Sequence, residues 1–227
     1  MPEKTPLQEV QTNIATYCEE FGRDVDEVKL VAVSKTRSSE AVGEMAAQGQ
    51  VTFGENYLQE AIDKIIALAE NKLEWHFIGH IQSRKAALIA RHFQWVHSVD
   101  RLKVAQKLND AVSEGEYLNV LIQVNLQQEQ SKSGVQVVDL MPLVEQIENL
   151  PNLRARGLML IPEPQSQFDA QRRVFSSARE LLVRAQRIAP EMDQLSMGMT
   201  GDMRAAIAEG ATMVRIGTAL FGAREYK

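Results

Sequence analysis

Lys29-Leu-Val-Ala-Val-Ser-Lys35 is a short apolar run that ends on a single amine and passes into the turn Thr36-Arg37-Ser38-Ser39. Its length and β-branched content read as a buried strand. Similar runs recur at 51–54, 75–79, 95–99, 120–125, 155–161, 194–197 and 213–216, with helically spaced stretches between them. Eight β-then-α units are the number that closes a parallel barrel. An open doubly wound sheet would show the same alternation, but no strand here is followed by a G-x-G-x-x-G turn. The expected fold is therefore α/β, a single (β/α)8 TIM-type barrel spanning 1–227 as one domain. An extra N-terminal amphipathic helix (Leu7, Val10, Ile14, Tyr17, Phe21) stops at Gly22. Helix starts are signalled at Thr5-Pro6 with Gln8 in capping-box position, at Ser38, at Asp100 and at Ser166. The helically spaced stretch from Phe168 to Ile188 carries Arg172, Arg173, Arg179 and Arg187, which read as a solvated helix face.

Composition narrows the function classes. A net charge of -5 gives no basic surface for nucleic acid or anionic membrane. One cysteine, Cys18, excludes an intrachain disulfide and fits a reducing compartment. The polar amino terminus lacks the apolar core of a signal peptide, and no apolar run is long enough to span a bilayer. The expected setting is the cytoplasm. The four histidines lack metal-site spacing, so no metal is expected.

In a barrel, functional residues collect just after the strands. Those positions read Lys35, Glu55-Asn56, His80-Ile-Gln82, Asp100, Asn125, Pro162, Ser196-Met-Gly-Met-Thr200 and Gly217-Thr218. A lysine at a strand end either snorkels to solvent or, partly desolvated, becomes a nucleophile that forms Schiff bases. The loops after the seventh and eighth predicted strands commonly bind phosphate through backbone N–H groups. Here they carry Gly198 and Gly217 for close approach, with hydroxyls on Ser196, Thr200 and Thr218. A Schiff-base lysine beside a phosphate cup asks for a phosphorylated aldehyde: pyridoxal 5′-phosphate first, an aldolase's phosphosugar second. Arg215 lies mid-strand with Val214 and Ile216 on the other face, so it points inward. A ring nitrogen, a phosphate or a barrel carboxylate could be its partner. Asn56 is either a contact to ring substituents or an Asx-type turn or helix cap. Glu55 reads as a proton relay or, more simply, a solvated glutamate at a helix start, and Lys132 as a solvent-exposed loop residue.

Seven ordered motifs then resemble one family. They are Val31-Ala-Val-Ser-Lys-Thr36, Phe53-Gly-Glu-Asn-Tyr57, Trp75-His-Phe-Ile-Gly79, Ser131-Lys-Ser-Gly134, Arg156-Gly-Leu-Met159, Leu195-Ser-Met-Gly-Met199 and Val214-Arg-Ile-Gly-Thr218. Together they look like the pyridoxal phosphate homeostasis protein family, with an alanine racemase-type barrel. The resemblance implies that Lys35 carries pyridoxal 5′-phosphate, with Asn56, Ser196, Met197, Gly198, Arg215, Gly217 and Thr218 as further cofactor contacts. It also implies a role in vitamin B6 balance and no metabolic turnover; a monomer, with apo pyridoxal-phosphate enzymes as recipients, is the accompanying expectation. A racemase is the alternative. Racemases sharing this barrel take an opposing tyrosine from a β-domain after it, and only nine residues follow Thr218 here. Of the four tyrosines, Tyr57 alone sits beside a strand end. Arg84 stands where the family usually has asparagine, and Thr200-Gly-Asp-Met203 replaces its usual Ser-x-Asp-Met.

Overall fold

A computed structural model describes residues 3–127 and 133–223. Eight strands form the barrel: β1 (Lys29–Val33), β2 (Thr52–Glu55), β3 (Glu74–Phe77), β4 (Trp95–Val99), β5 (Leu118–Asn125), β7 (Leu153–Met159), β8 (Gln194–Ser196) and β9 (Met213–Ile216). The two-residue strand β6 (Val135–Gln136) pairs only with the end of β5. Every strand pairs in parallel with its neighbours, and β9 returns to β1 through Lys29↔Met213 and Val31↔Arg215. Closure leaves no sheet edge to be covered. The seventh and eighth predicted strands are thus β8 and β9.

Nine helices among the described residues surround it: α1 (Pro6–Glu20), α2 (Ser39–Ala47), α3 (Leu58–Ala67), α4 (Ala86–His92), α5 (Leu102–Asn109), α6 (Val137–Glu148), α7 (Phe168–Ala185), α8 (Met203–Ala208) and α9 (Thr218–Phe221). Helix α1 is the extra one. Thr5 and Gln8 form the expected reciprocal cap, and Leu7, Val10, Ile14 and Cys18 are buried where α1 meets α8 and α9. Ser38 caps α2 through the Ala41 N–H. The other two expected starts move. Helix α5 begins at Leu102, leaving Asp100 to pair with Arg101, and α7 begins at Phe168 after Gln167. Arg172 and Arg179 also depart from a purely solvated face, since both pair with the buried Glu209. None of the described helices is long and apolar enough to cross a membrane.

The period-two alternation of the strands produces two cores. Outward residues such as Leu30, Ala32, Val214 and Ile216 pack against the helices, in the larger cluster. Inside the barrel lie Val31, Trp95, Leu121, Met159 and Met213. The same inner face carries a polar set: His76, His97, Ser196 and Arg215, all buried. Burial is the largest cause holding both imidazoles below their ordinary value, with His97 well below it.

That burial makes stability pH-dependent. Both groups have folded values below the unfolded 6.5, so their contribution is present above that pH and is lost as pH falls below it. Urea titrations between about pH 7 and pH 5 should show stability falling by up to about 1.4 kcal/mol per pH unit for each histidine. The buried Glu55 opposes this trend, so the informative quantity is the difference from His97→Gln, which should be less acid-sensitive. An unchanged slope in that variant would refute a neutral, buried His97.

Candidate functional site

Barrel closure puts the carboxyl ends of β1 and β9 side by side, so Lys35 and Gly217-Thr218 meet although far apart in sequence. A cavity of about 430 Å³ opens there. Its walls bring together Lys35, Asn56, Arg215, Gly217 and Thr218 with Met199, Thr200 and Gly201, and with the apolar side chains of Val33, Ile78 and Ile161.

Lys35 is half-buried and enters a turn in which Thr36 adopts φ 64. A β-branched residue in the left-handed region is strained and needs its surroundings to hold it. Four side chains do so. Ser34 Oγ donates to Glu55 Oε1 at 2.6 Å, and the Thr36 N–H donates to Glu60 Oε1 at 2.6 Å. Lys64 Nζ ties these together, donating to Ser34 O at 2.7 Å, Glu55 Oε1 at 2.7 Å and Glu60 Oε1 at 2.6 Å. Lys64 and Glu55 are 3% and 0% exposed. Glu55 is therefore neither a relay nor a solvated glutamate: burial pushes its carboxyl up, while Lys64 pulls it back. Sequence reasoning missed Lys64, whose one signal was the i,i+4 spacing from Glu60.

Arg215 is 5% exposed, and burial pulls its guanidinium down to about 10. Its partners are neutral oxygens: Nη1 donates to Ser196 Oγ at 2.7 Å and Nη2 to Leu160 O at 2.8 Å. Three expected contacts, Ser196, Met197 and Gly198, do not line this cavity. Ser196 is fully buried, with its hydroxyl shared between Arg215 and His97 Nδ1 at 2.9 Å. Met197 packs in the outer core. Gly198, at φ +95, serves helix packing, because a Cβ there would lie 2.6 Å from the Ala206 Cβ. Exposed Thr200 and Gly201 occupy the rim instead, and the loop is held by the Met199 N–H donating to Asp202 Oδ1 at 2.6 Å.

A second cavity of about 310 Å³ shares Asn56, Ile78 and Ile161 with the first and is lined by His80, Gln123 and Ser133. Exposed Arg84 contacts Gln82 and lines neither cavity, and Tyr57 is 53% exposed. No metal-binding cluster occurs among the described residues. Lys132 and Tyr226 lie outside them.

The chain matches the family model "Alanine racemase, N-terminal domain" over residues 6–225. It is 53% identical over 221 residues to the "Pyridoxal phosphate homeostasis protein" of Pseudomonas aeruginosa, covering 97% of this chain and 95% of the relative. The protein so named in Escherichia coli K12 is 48% identical, with 97% and 96% covered. This chain belongs to the pyridoxal phosphate homeostasis protein family. Among solved structures, PipY of Synechococcus elongatus PCC7942 with PLP bound has a TM-score of 0.82 at 37% identity, covering 92% of this chain and 100% of that one. The closed eight-stranded barrel is thus that of its relatives.

The residues present fit a phosphorylated pyridine aldehyde. Two cationic side chains, Lys35 and Arg215, share the cavity with hydroxyls and a glycine at the start of α9. Asn56 Oδ1 is buried without a hydrogen-bond partner among the described residues, which leaves an acceptor for a ligand hydroxyl.

The Lys64 anchor gives a direct test of how the lysine turn is held. Lys64→Met would leave Glu55 buried and uncompensated and should cost about 3–5 kcal/mol in urea unfolding. Adding Glu55→Leu should recover much of that loss while leaving the Thr36 turn loose. Equal stability of Lys64→Met and the parent chain would contradict the assignment.

Proposed function

We propose that this chain holds pyridoxal 5′-phosphate covalently through Lys35 and acts in cellular vitamin B6 homeostasis by loading and releasing it. The single observation carrying this reading is the meeting of Lys35, Arg215 and the Thr200/Gly217/Thr218 rim in one cavity, in a chain of this family. When bound, the cofactor supplies an aldehyde that condenses with an amine with loss of water. Lys35 would provide that amine. Thr200, Gly217 and Thr218 would hold the phosphate by hydroxyls and by the N–H groups that an opening helical turn leaves unpaired. Asn56 would accept from the ring hydroxyl. Arg215 would face the ring nitrogen as a donor that stays charged at neutral pH, which leaves that nitrogen without a proton of its own.

The same residues argue for storage over turnover. Racemisation needs a proton removed from one face and returned to the other, normally by two positioned groups. Among the described residues lining the cavity, Lys35 and Arg215 are the only titratable side chains, and a guanidinium is a poor proton donor. We assign the protein as a monomeric, cytoplasmic, one-domain carrier across 1–227 whose recipients are apo forms of pyridoxal-phosphate enzymes.

Purified protein should absorb in the visible region, and Lys35→Ala should be colourless while retaining the native far-UV circular dichroism. Alanine and other common amino acids should keep their chirality on prolonged incubation. A turnover number within the usual enzymatic range of ~1–10³ s⁻¹, abolished by Lys35→Ala, would establish a racemase instead.

A further inference from the structure

Arg215 is the top of a longer chain of hydrogen bonds. Ser196 Oγ, which accepts from Arg215, meets His97 Nδ1 at 2.9 Å. His97 Nε2 meets His76 Nδ1 at 2.7 Å, and His76 Nε2 meets Glu74 Oε1 at 2.8 Å. Glu74 opens β3 and Lys29 opens β1, so their 2.8 Å ion pair lies at the amino-terminal end of the barrel, opposite the cavity. Glu74 is 34% exposed there, whereas Ser196, His97 and His76 are fully buried.

We propose that Ser196, His97, His76 and Glu74 form one polarised hydrogen-bond chain through the barrel that positions Arg215 for the cofactor from the opposite face. This rests on the cofactor reading above only for what Arg215 meets. The polarity follows from counting hydrogens. A guanidinium can only donate, so Ser196 Oγ accepts from Arg215, which leaves its own proton to turn to His97 Nδ1. His97 Nδ1 is then an acceptor, which places its hydrogen on Nε2, aimed at His76 Nδ1. His76 carries its hydrogen on Nε2 in turn, aimed at Glu74. A carboxylate can only accept, so the far end demands the same direction independently. The opposite direction would leave the Ser196 proton without this acceptor and set a bare imidazole nitrogen against a carboxylate oxygen. Charge agrees: Glu74 is held at about 2, first by its bond to His76, while burial keeps both imidazoles neutral. A positive and a negative end are joined by neutral links polarised in one sense, each reinforcing the next. With Nη1 committed to Ser196 and Nη2 to Leu160 O, the guanidinium is held in one orientation, and its remaining N–H groups are available to the cavity it lines. The four residues are positioning residues; none of them lines the cavity.

Nitrogen NMR of the full chain with ¹⁵N-labelled histidine, free of cofactor, reads the tautomers directly. Both His76 and His97 should be neutral with the proton on Nε2. A proton on Nδ1 of either ring, or a doubly protonated ring at neutral pH, would overturn the chain whatever the protein binds. Glu74→Gln then tests the coupling, because a side-chain amide can donate as well as accept and no longer imposes a direction. Both rings should show mixed tautomers, and the Kd for added pyridoxal 5′-phosphate should rise about fivefold or more, with a shifted visible band. Lys29→Met removes a surface charge at the same end without breaking the chain and should keep both tautomers. If Glu74→Gln mixes the tautomers but leaves Kd and spectrum as in the parent, positioning of Arg215 is refuted. If the parent chain takes up no pyridoxal 5′-phosphate, the cofactor reading fails, and the tautomers still decide whether the chain of bonds exists.

Discussion

The pairing of β9 with β1 is the constraint on which the rest of the molecule depends. It joins the last strand to the first, removes both free edges, and sets Val31 opposite Arg215. One consequence is chemical: the loop carrying Lys35 and the turn carrying Gly217-Thr218 become neighbours at one rim. Another is electrostatic, because Arg215 and Lys29 are committed to the inner face at opposite ends. An open sheet with the same strands would have left these groups on separate edges.

Two buried polar systems then divide the work around the cavity. On the β1–β2 side, Lys64, Glu55 and Glu60 anchor the strained turn at Thr36, so the residue before it is presented in a fixed way. Burying such an ion pair brings little net stability, but losing one partner is costly. It is therefore better understood as holding geometry. On the β8–β9 side, both hydrogen bonds that hold Arg215 run to neutral oxygens, and the Asp202 carboxylate supports its charge from nearby without an ion-pair contact among the described residues. A charged donor so arranged can meet a ligand without first giving up an ion pair. Rim residues Met199, Thr200 and Gly201 lie nearer solvent, where a ligand can enter and leave.

Much of this was legible in the chain. Alternating apolar runs and helical stretches gave the barrel, and polar residues just after the runs gave Lys35, Asn56, Gly217 and Thr218 as one group. Period two in β9 sent Arg215 inward. What escaped has a common physical cause: a one-dimensional pattern does not reveal which strand ends lie deeper than others. Ser196 ends a strand as Lys35 follows one, yet it sits a layer lower, where its hydroxyl serves Arg215 and His97 rather than the rim. Gly198 looked like a place for close ligand approach but makes room for Ala206. His76 and His97 carried the faint signal of polar residues inside otherwise apolar strands. Lys64 looked like any helix lysine until packing enclosed it.

The central claim is that the amine of Lys35 is the covalent attachment point for pyridoxal 5′-phosphate in this family member. Loading the protein, reducing it with borohydride and mapping the peptides by mass spectrometry tests this most directly. The label should fall on the peptide containing Val33-Ser34-Lys35. A label on Lys64, Lys85 or Lys132, with Lys35 unmodified, would contradict the account.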